Sequence, residues 1–290
     1  MVRIATSEEG GTFWTQGMAL KSVLGRVPAL APVEILASPG ASIATAEAVS
    51  AGDAAFGFMA ANWLPRALVG EAPFARAMDL RIVAPMNTGP LFFIARADRR
   101  YRGVRDLARK RVVFGPEKSG MAQHARTILD LLGLEVTPLF LDFAAGAAAV
   151  ETGAADAQLQ CPIPNRVMSD LAGRCDIHVL PWDHASLERV LAAVPFYRRA
   201  VMKRGALPGL DADTAQPGVL NLLVTGVRAD ADAVAACARA IAANAAELER
   251  LNPLFGGLAA LFADLAAAAI GGARFHDAAA RTYRELRLLR

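Results

Sequence analysis

Cysteine and histidine are scarce in this chain. Its 290 residues include three cysteines, Cys161, Cys175 and Cys237, and four histidines. Three cysteines cannot form a fully paired disulfide framework. Cys161 and Cys175 could pair, although buried free thiols are the more common state. No CxxC or HxxxH spacing occurs, so the sequence predicts no structural zinc site, and we expect neither a metal nor a cofactor.

Long apolar runs and dense basic clusters are also rare. The longest apolar run, 256–272, is broken by Asp264 and is shorter than the roughly 20 residues that a membrane-spanning helix needs. The net charge is +3, and only the segment 96–111 is dense in basic residues. A nucleic-acid interface would need further basic clusters and interleaved aromatic residues, whereas this segment contains a single aromatic residue, Tyr101, and has no second basic cluster beside it. We therefore interpret it as a solvated loop and helix, and expect no nucleic-acid partner.

The composition is that of an ordinary soluble α/β protein, with 54% apolar and 20% charged residues. The length allows one large domain or two lobes with well-buried cores. The start, Met1-Val2-Arg3, leads directly into a predicted strand without the pattern of a signal peptide. The sequence is thus compatible with a cytoplasmic protein or with a leader that has been removed.

The sequence repeats itself weakly at a spacing of about 100 residues. Residues 3–11, RIATSEEGG, correspond to residues 111–120, RVVFGPEKSG. In the same way, residues 49–59, VSAGDAAFGFM, correspond to residues 150–161, VETGAADAQLQC. Each pair has the same succession of strands, helices and glycine turns. A spacing of about 100 residues is too long for a solenoid repeat, so it indicates two similar α/β lobes.

Alternating strands and helices predict two mixed, mostly parallel sheets, one in each lobe. We assign residues 1–88 and 219–290 to lobe I and residues 89–218 to lobe II. Two crossing strands near 88–93 and 217–223 would form a hinge. Because ligands of open α/β sheets bind beyond the carboxyl ends of the strands, the expected site is the cleft between the lobes.

Apolar periodicity also predicts particular elements whose limits the structure can test. Among them are separate strands at 81–86 and 90–96 and long helices at 229–251 and 255–269. No strand is predicted between 181 and 216.

Two strand-to-helix turns are candidate sites for an anion. Gly10, Gly11 and Thr12, followed by Phe13, open the first helix of lobe I, and the corresponding turn of lobe II contains the residues Ser119, Gly120 and Met121. A helix N-terminus offers free backbone N–H groups and the positive end of the helix dipole, which together suit a carboxylate. Glycine pairs also form such turns without any ligand, so both interpretations remain open.

Two carboxylates, Glu8 and Glu9, precede this first turn. Acidic side chains near a helix N-terminus gain about 0.3–1 kcal/mol from the dipole without a ligand, and we adopt this interpretation for Glu8. Glu9 lies nearer the expected cleft and could accept a hydrogen bond from an amine or hydroxyl of the ligand, or contact a cation. A buried carboxylate that faced an anionic ligand without such a partner would be too costly to keep charged.

Further candidates follow the second strand of each lobe. Ser38, Gly40 and Ser42 could contact the ligand through a hydroxyl or a backbone amide, although Ser42 could instead cap or begin a helix. Asp142 occupies the corresponding place in lobe II, and there we prefer a helix cap to a ligand contact.

Other candidates lie at strand ends and at the crossover. Met59 and Met121 could form an apolar wall, and Asn87 lies at the first crossover. Gln160 and Pro162 border a turn, and a glutamine on a buried strand needs hydrogen-bond partners, which a ligand could supply.

A catalytic site is not predicted. Cys161 lies beside Pro162 and His124 falls early in a helix, but nothing in the sequence places a base and an orienting acid beside the thiol. We therefore expect a binding protein and not an enzyme.

Several segments resemble the TAXI class of solute-binding proteins, which serve tripartite ATP-independent periplasmic (TRAP) transporters. The likeness covers nearly the whole chain. It is carried by IATSEEGGTFWTQG, by SPGASIATAEAVSAGDAAFGF and by the pattern R-D-L-x-x-K-R-V, G-P-x-x-S-G in residues 105–134. VPFY at 194–197 and GALPG at 205–209 are more peculiar to the class.

The resemblance implies a two-lobed, type II periplasmic binding protein fold that closes on a small carboxylate-bearing solute. It also implies a periplasmic location and a TRAP-type membrane permease as partner, and we expect a monomer. Alternatives are a sensor module of the same fold and a decarboxylase-like enzyme built on it.

The chain also departs from the class. Members usually have small or hydroxyl residues where this chain has Ser7-Glu8-Glu9, and polar side chains where it has Met59-Ala60-Ala61. At the position of Met121 they usually have a hydroxyl residue. These departures argue against a glutamate-like or dicarboxylate ligand and favour an aromatic or branched-chain acid.

Overall fold

A computed structural model describes residues 1–38, 40–117, 119–161 and 166–290. The chain forms two compact units, one of Met1–Thr88 with Leu220–Arg290 and the other of Gly89–Val219. Each unit contains its own β-sheet with helices packed on it. The predicted fold class, α/β with two mixed sheets, is confirmed.

The sheet of the first unit has the strand order β11-β3-β1-β2. Strand β1 (Val2–Ala5) runs parallel to β2 (Val33–Leu36) and to β3 (Phe56–Ala60). The long strand β11 (Thr214–Gly226) runs antiparallel to β3 and also pairs with β4 (Leu80–Pro90). Because β1, β2 and β3 are parallel, all three end at the same side of the sheet, which we call edge 1.

Seven helices of the first unit surround this sheet in the described residues: α1 (Thr12–Leu24), α2 (Ser42–Ala51), α3 (Leu64–Val69), α8 (Ala231–Ala243), α9 (Ala245–Leu251), α10 (Leu258–Ala263) and α11 (Asp277–Glu285). Tyr283 on α11 is fully buried and contacts the rings of Phe262 and Phe275. Its hydroxyl donates to the carbonyl of Val83 at 2.7 Å, which attaches the C-terminal helices to β4.

The sheet of the second unit has the strand order β7-β6-β8-β5-β9. Its strands are β5 (Phe92–Arg96), β6 (Arg111–Val113), β7 (Thr137–Leu139), β8 (Ala157–Gln160) and β9 (Ile177–Val179). Strand β6 is parallel to β7 and β8, whereas β5 is antiparallel to β8 and β9. The side at which β6, β7 and β8 end is called edge 2.

Helices cover both faces of this second sheet. They are α4 (Gly120–Leu132), α5 (Phe143–Thr152), α6 (Arg166–Ala172) and α7 (His184–Ala193). Ile128 of α4 and Val190 of α7 belong to one apolar core. Val150 of α5 and Leu171 of α6 belong to the other.

Several predicted elements have different limits. The region predicted as strand 81–86 extends to Pro90, and β5 begins only at Phe92. A further strand, β10 (Tyr197–Met202), pairs antiparallel with Thr214 to Val219 of β11. It was missed because the adjacent Arg198 and Arg199 interrupt the alternation of apolar and polar residues that identifies a half-buried strand.

The two long predicted helices are broken by polar residues. The helix predicted at 229–251 is divided at Asn244, whose side-chain Nδ2 donates to the carbonyl of Ala240 at 2.7 Å. In the second, α10 ends before Asp264, and a short 3-10 helix, Leu265–Ala268, follows. Asn and Asp side chains compete for backbone hydrogen bonds and so favour helix ends.

No helix in the described part of the chain combines the length and apolar character required to cross a bilayer.

Close packing of β3 against α2 leads to a stability prediction. A Cβ atom at Gly57 would collide with Thr45 Cγ2 and lie 3.1 Å from Val49 Cγ2. We expect Gly57→Ala to lower the free energy of unfolding by about 1–3 kcal/mol because the core must shift to admit the methyl group. Urea denaturation measures this. Gly226→Ala is the control, since its nearest neighbour is Val49 O at 3.8 Å. Equal losses in both variants would contradict the prediction.

Candidate ligand-binding sites

The turn between β1 and α1 is organised by Ser7. Ser7 is buried, and its Oγ accepts a hydrogen bond from the backbone N–H of Trp14 at 3.2 Å. Gly10 has a φ of +77°, a conformation that favours glycine. A Cβ atom at Gly11 would collide with Ser7 Oγ, so both glycines have a structural reason that is independent of any ligand.

The same turn leaves backbone donors free at the start of α1. The N–H of Gly11 donates to the carbonyl of Glu8 at 3.0 Å, and that of Trp14 is taken by Ser7. Within the described residues, nothing accepts a hydrogen bond from the N–H of Thr12 or Phe13. Two amides at the positive end of a helix of 13 residues are therefore available to an anion.

Glu8 and Glu9 are exposed in this turn, and neither forms an ion pair with any described residue. Two predictions therefore remain: that Glu8 interacts only with the helix dipole, and that Glu9 contacts the ligand.

Phe13 and Met59 are core residues in this structure. The ring of Phe13 is 8% exposed and stacks on Phe58, with ring centroids 5.6 Å apart and planes at 24°. Met59 is fully buried. Strand β3 lies between β1 and β11, and a central strand can bury side chains on both faces. Met59 therefore has no exposed surface in this structure. The ligand contacts that the sequence predicts for Met59 and Phe13 stay predictions.

The turn after β2 is attached to its neighbours by hydrogen bonds. The N–H of Ser38 donates to the carbonyl of Ser7 at 3.2 Å, so this amide is not free for a ligand. Gly40 has a φ of +98°. Ser42 lies in the first turn of α2, and its Oγ accepts from the N–H of Ala60 at 3.0 Å. Ser42 thus acts first as a structural link between α2 and the end of β3.

Three buried asparagines come next along edge 1. Asn221 lies opposite Ala60, the last residue of β3. Its Nδ2 donates to Oδ1 of Asn87 at 3.1 Å, so the side-chain oxygen of Asn87 already accepts a hydrogen bond within the protein. Asn62 follows β3 by two residues and is 7% exposed, and neither its Nδ2 nor its Oδ1 has a hydrogen-bond partner.

Sequence analysis missed Asn62 and Asn221. For Asn62 a signal was present, since a polar residue after the third strand is usual in the class that the chain resembles. No local sequence pattern marks Asn221, because it reaches edge 1 only through the antiparallel pairing of β11 with β3, which are far apart in sequence.

In the second unit, Ser119 is the N-cap residue of α4. Its Oγ accepts from the N–H of Ala122 at 3.1 Å, so the hydroxyl is committed to the helix. The amides of Gly120 and Met121 have no acceptor in the part of the chain that the structure describes. Edge 2 therefore carries a second helix N-terminus with two donors that no described residue uses.

Asp142 caps α5, as predicted, since its Oδ1 accepts from the N–H of Ala145 at 2.7 Å. Gln160, the last residue of β8, is 2% exposed, and its Nε2 has no hydrogen-bond partner. Gln158 is fully buried and uses its Nε2 on the carbonyl of Phe143 at 3.2 Å. Pro162 lies outside the described residues.

Cys161 and His124 lie among the apolar residues of the second unit. His124 Nδ1 forms a hydrogen bond of 2.7 Å with the hydroxyl of Tyr197. Burial lowers the pKa of His124 to about 4 and raises the pKa of the Cys161 thiol to about 12. An activated nucleophile needs a thiol pKa shifted in the opposite direction. Among the described residues, no group of His, Cys, Asp and Glu is arranged to hold a metal ion.

Comparison with known proteins identifies the family. The model of the NMT1-like family matches residues 4–286, nearly the whole chain. The chain belongs to the NMT1-like family. No curated protein matches the sequence of this NMT1-like chain.

Solved structures similar to this NMT1-like chain include three bacterial binding proteins. The periplasmic sulfonate-binding protein SsuA from Methylobacillus flagellatus is 16% identical with a TM-score of 0.58, over 99% of this chain and 94% of that one. A TctC solute-binding protein from Polaromonas is 15% identical with a TM-score of 0.59, over 100% and 98%. MatC from Rhodopseudomonas palustris, solved with bound malate, is 15% identical with a TM-score of 0.58, over 98% of each chain.

At these identities the likeness shows the fold alone. The fold of this NMT1-like protein is the two-lobed α/β fold of periplasmic binding proteins, as the sequence predicted.

The buried His124 leads to a prediction about pH. Its folded pKa, about 4, lies below the ordinary value of about 6.5 expected in the unfolded chain. The unfolded state therefore binds the proton more readily, and this contribution to stability is full above about pH 6.5 and lost as the pH falls towards 4. Between about pH 7.5 and 4.5, wild type should lose about 2–3 kcal/mol more than His124→Gln. Urea denaturation at several pH values measures this, and parallel profiles for the two proteins would refute it.

Proposed function

We propose that this protein is an extracytoplasmic solute-binding receptor of the TAXI class. It captures a small organic acid, such as an amino acid, a keto acid or an aromatic or branched carboxylate, and delivers it to a TRAP-type membrane permease. It binds its solute without transforming it.

The observation that carries the proposal is the free N-terminus of α1. The amides of Thr12 and Phe13 have no acceptor among the described residues. A methyl group at Gly10 would meet no heavy atom within 4 Å, so the space beside this glycine is open. Free amides at the positive end of a helix dipole bind anions. An anionic group such as a carboxylate therefore suits this turn.

The second unit supports the same ligand chemistry. Its helix α4 begins with two amides, those of Gly120 and Met121, that no described residue uses. Two of the structural neighbours have acidic solutes: one is a sulfonate-binding protein, and the other was solved with bound malate. The sequence thus repeats an anion-binding turn in a fold that other proteins use to bind anionic solutes.

The compartment and the permease rest on the resemblance to the TAXI class, and above all on VPFY at 194–197 and GALPG at 205–209. The neighbours include a binding protein assigned to a sulfonate ABC transporter, so the fold by itself does not identify a TRAP permease as the partner. Co-purification with a co-expressed TRAP permease tests this part of the proposal.

Thr12→Pro tests the role of the α1 amides. Thr12 is the first residue of α1, where proline is favoured and where the missing N–H costs no helical hydrogen bond. Gly11 has φ −71° and ψ 168°, a conformation that a following proline accepts. The substitution therefore removes one donor without breaking the helix.

We expect wild type to show a raised melting temperature with at least one acid in a panel of amino, keto, dicarboxylic, aromatic and branched-chain acids. Thr12→Pro should weaken binding of that acid by about tenfold or more, the equivalent of one lost hydrogen bond to a charged group. The control Thr12→Ala removes the hydroxyl but retains the N–H and should bind nearly as wild type does. Equal losses in the two variants, or no stabilising acid in the panel, would contradict the proposal.

Glu9→Gln tests whether the exposed carboxylate beside the turn selects the solute. If Glu9 accepts a hydrogen bond from an amine or hydroxyl of the ligand, the substitution should weaken binding of amino or hydroxy acids. If it instead repels anions, plain carboxylates should bind more tightly to the variant. Calorimetric titration distinguishes the two outcomes, with Glu8→Gln as the matched control. Unchanged affinity for every acid would remove Glu9 from the site.

A further inference from the structure

The basic segment 96–111, which lies within the second unit, carries the positive charge of the whole chain. It contains eight Lys and Arg residues and two acidic residues, a net charge of +6. The remaining 274 residues contain 23 basic and 26 acidic residues, a net charge of −3. The positive potential of the protein is therefore concentrated at one place, where it can attract an anionic partner.

Most of these cations have no carboxylate partner of their own. Three form ion pairs: Arg96–Asp98, Arg105–Asp183 and Arg111–Asp156. The other five form none with any described residue, and we call them the basic surface: Arg99, Arg100, Arg102, Arg109 and Lys110. The four arginines are exposed and the lysine is half-buried. The second unit thus presents five positive charges to its surroundings.

The sheet of the second unit brings the two ends of the segment together. Ile94 of β5 and Val113 of β6 are both paired with Gln158 of β8, which lies between the two strands. Because β5 is antiparallel to β8 and β6 is parallel to it, the end of β5 at Arg96 and the start of β6 at Arg111 lie on the same side of the sheet, opposite edge 2. One intervening strand separates them by about 10 Å.

Contacts within the segment confirm this convergence. The Nη2 of Arg111 donates to the carbonyl of Gly153 at 2.8 Å, and a methyl group at Gly153 would lie 2.8 Å from Nη2 of Arg99. The Nζ of Lys110 lies 5.6 Å from the centre of the Tyr101 ring. Cations that follow β5 and cations that precede β6 therefore belong to one continuous surface.

Two of these arginines occupy backbone positions that suit glycine. Arg100 has a φ of +55° and Arg109 a φ of +62°, a conformation that costs free energy for a residue with a Cβ atom. Their N–H groups donate to the carbonyls of Ala97 at 3.1 Å and Glu135 at 2.6 Å, which glycine would do equally well. Neither side chain contributes a hydrogen bond or an ion pair to the described structure. The fold therefore gives no structural reason for arginine at either position, and the reason must lie in what the side chains meet outside the protein.

The composition of this surface favours lipid headgroups over a protein partner. Protein interfaces are usually centred on apolar or aromatic side chains within a polar rim. Among the described residues of this unit, the large exposed apolar side chains are Phe140 and Val201, and neither belongs to the segment 96–111. Tyr101, its one aromatic residue, is half-buried beneath Lys110. Guanidinium groups bind phosphate oxygens through paired hydrogen bonds, and an anionic bilayer presents many phosphates in one plane.

We propose that the basic surface binds the anionic headgroups of a membrane and so holds the second unit against the bilayer. This inference goes beyond the proposed function, because it concerns a different surface and requires no solute. Each Lys or Arg near an anionic bilayer strengthens binding about fivefold, so five of them give an association constant of roughly 10³–10⁴ M⁻¹.

Sedimentation with lipid vesicles at millimolar lipid tests the inference. Wild type should sediment with vesicles made of equal parts of phosphatidylglycerol and phosphatidylcholine and stay in solution with vesicles of phosphatidylcholine alone. Added salt should release the protein, because it screens exposed charges.

Glycine variants separate the basic surface from the fold. Arg100→Gly and Arg109→Gly should each weaken binding about fivefold, and the double variant about 25-fold. Their melting temperatures should stay close to that of wild type, since glycine suits both backbone conformations. Arg102→Gln, which leaves the backbone unchanged, should also weaken binding about fivefold.

Arg287→Gly is the matched control. Arg287 is exposed in the first unit, has a φ of +59° and forms no ion pair with any described residue. Its substitution therefore removes the same charge from the same backbone conformation outside the basic surface. This variant should bind vesicles as wild type does.

Three outcomes would overturn the inference. One is the absence of binding to anionic vesicles, or equal binding to both kinds of vesicle. Another is an equal loss in Arg287→Gly and Arg100→Gly, because binding would then follow the net charge and not the basic surface. The third is binding to a polyglutamate peptide but not to vesicles, with a loss in Arg100→Gly, which would assign the surface to an acidic protein. Solute binding is measured separately, so none of these outcomes bears on the proposed function.

Discussion

The arrangement of edge 1 depends on the hydrogen bonds of Ser7. Its Oγ accepts from the N–H of Trp14, and its carbonyl accepts from the N–H of Ser38. One residue thereby fixes the start of α1 and attaches the turn after β1 to the turn after β2. Ser7 satisfies the third amide of the helix, and among the described residues nothing accepts from the amides of Thr12 and Phe13. The space that its hydroxyl occupies also excludes any side chain at Gly11.

At edge 1, polar side chains that a ligand could contact also hold the structure together. Ser42 and Asn221 both have a partner in the sheet or in a neighbouring strand, and these bonds are part of what holds the edge together. Asn62 has none. A polar residue at a strand end is therefore not in itself a ligand contact. The distinction lies in whether the protein has already used its hydrogen-bonding capacity.

The sequence was sufficient to predict the backbone of both turns, because glycine, serine and aspartate at strand ends have local conformational causes. The cap of Asp142 on α5 belongs to this group, since donor and acceptor lie three residues apart. The hydrogen bond from the N–H of Ala60 to Ser42 Oγ has no such local cause, because it joins residues 18 apart in sequence. The strand β10 was missed for a related reason. Its pairing with β11 overrides a local pattern that Arg198 and Arg199 make irregular.

The same limit applies to the burial of Met59, which the local sequence does not predict. Its neighbours in sequence do not reveal that β3 is a central strand, and only the sheet order places it between β1 and β11. Once both faces of a strand are covered, an apolar residue on it is buried and contributes to stability. Backbone amides without an acceptor at a helix start differ from such buried residues, because they can still form a hydrogen bond with a solute. By linkage, a solute that binds only the folded protein raises its stability, and under the proposed function the amides of Thr12 and Phe13 are the groups of the first unit from which that gain would come.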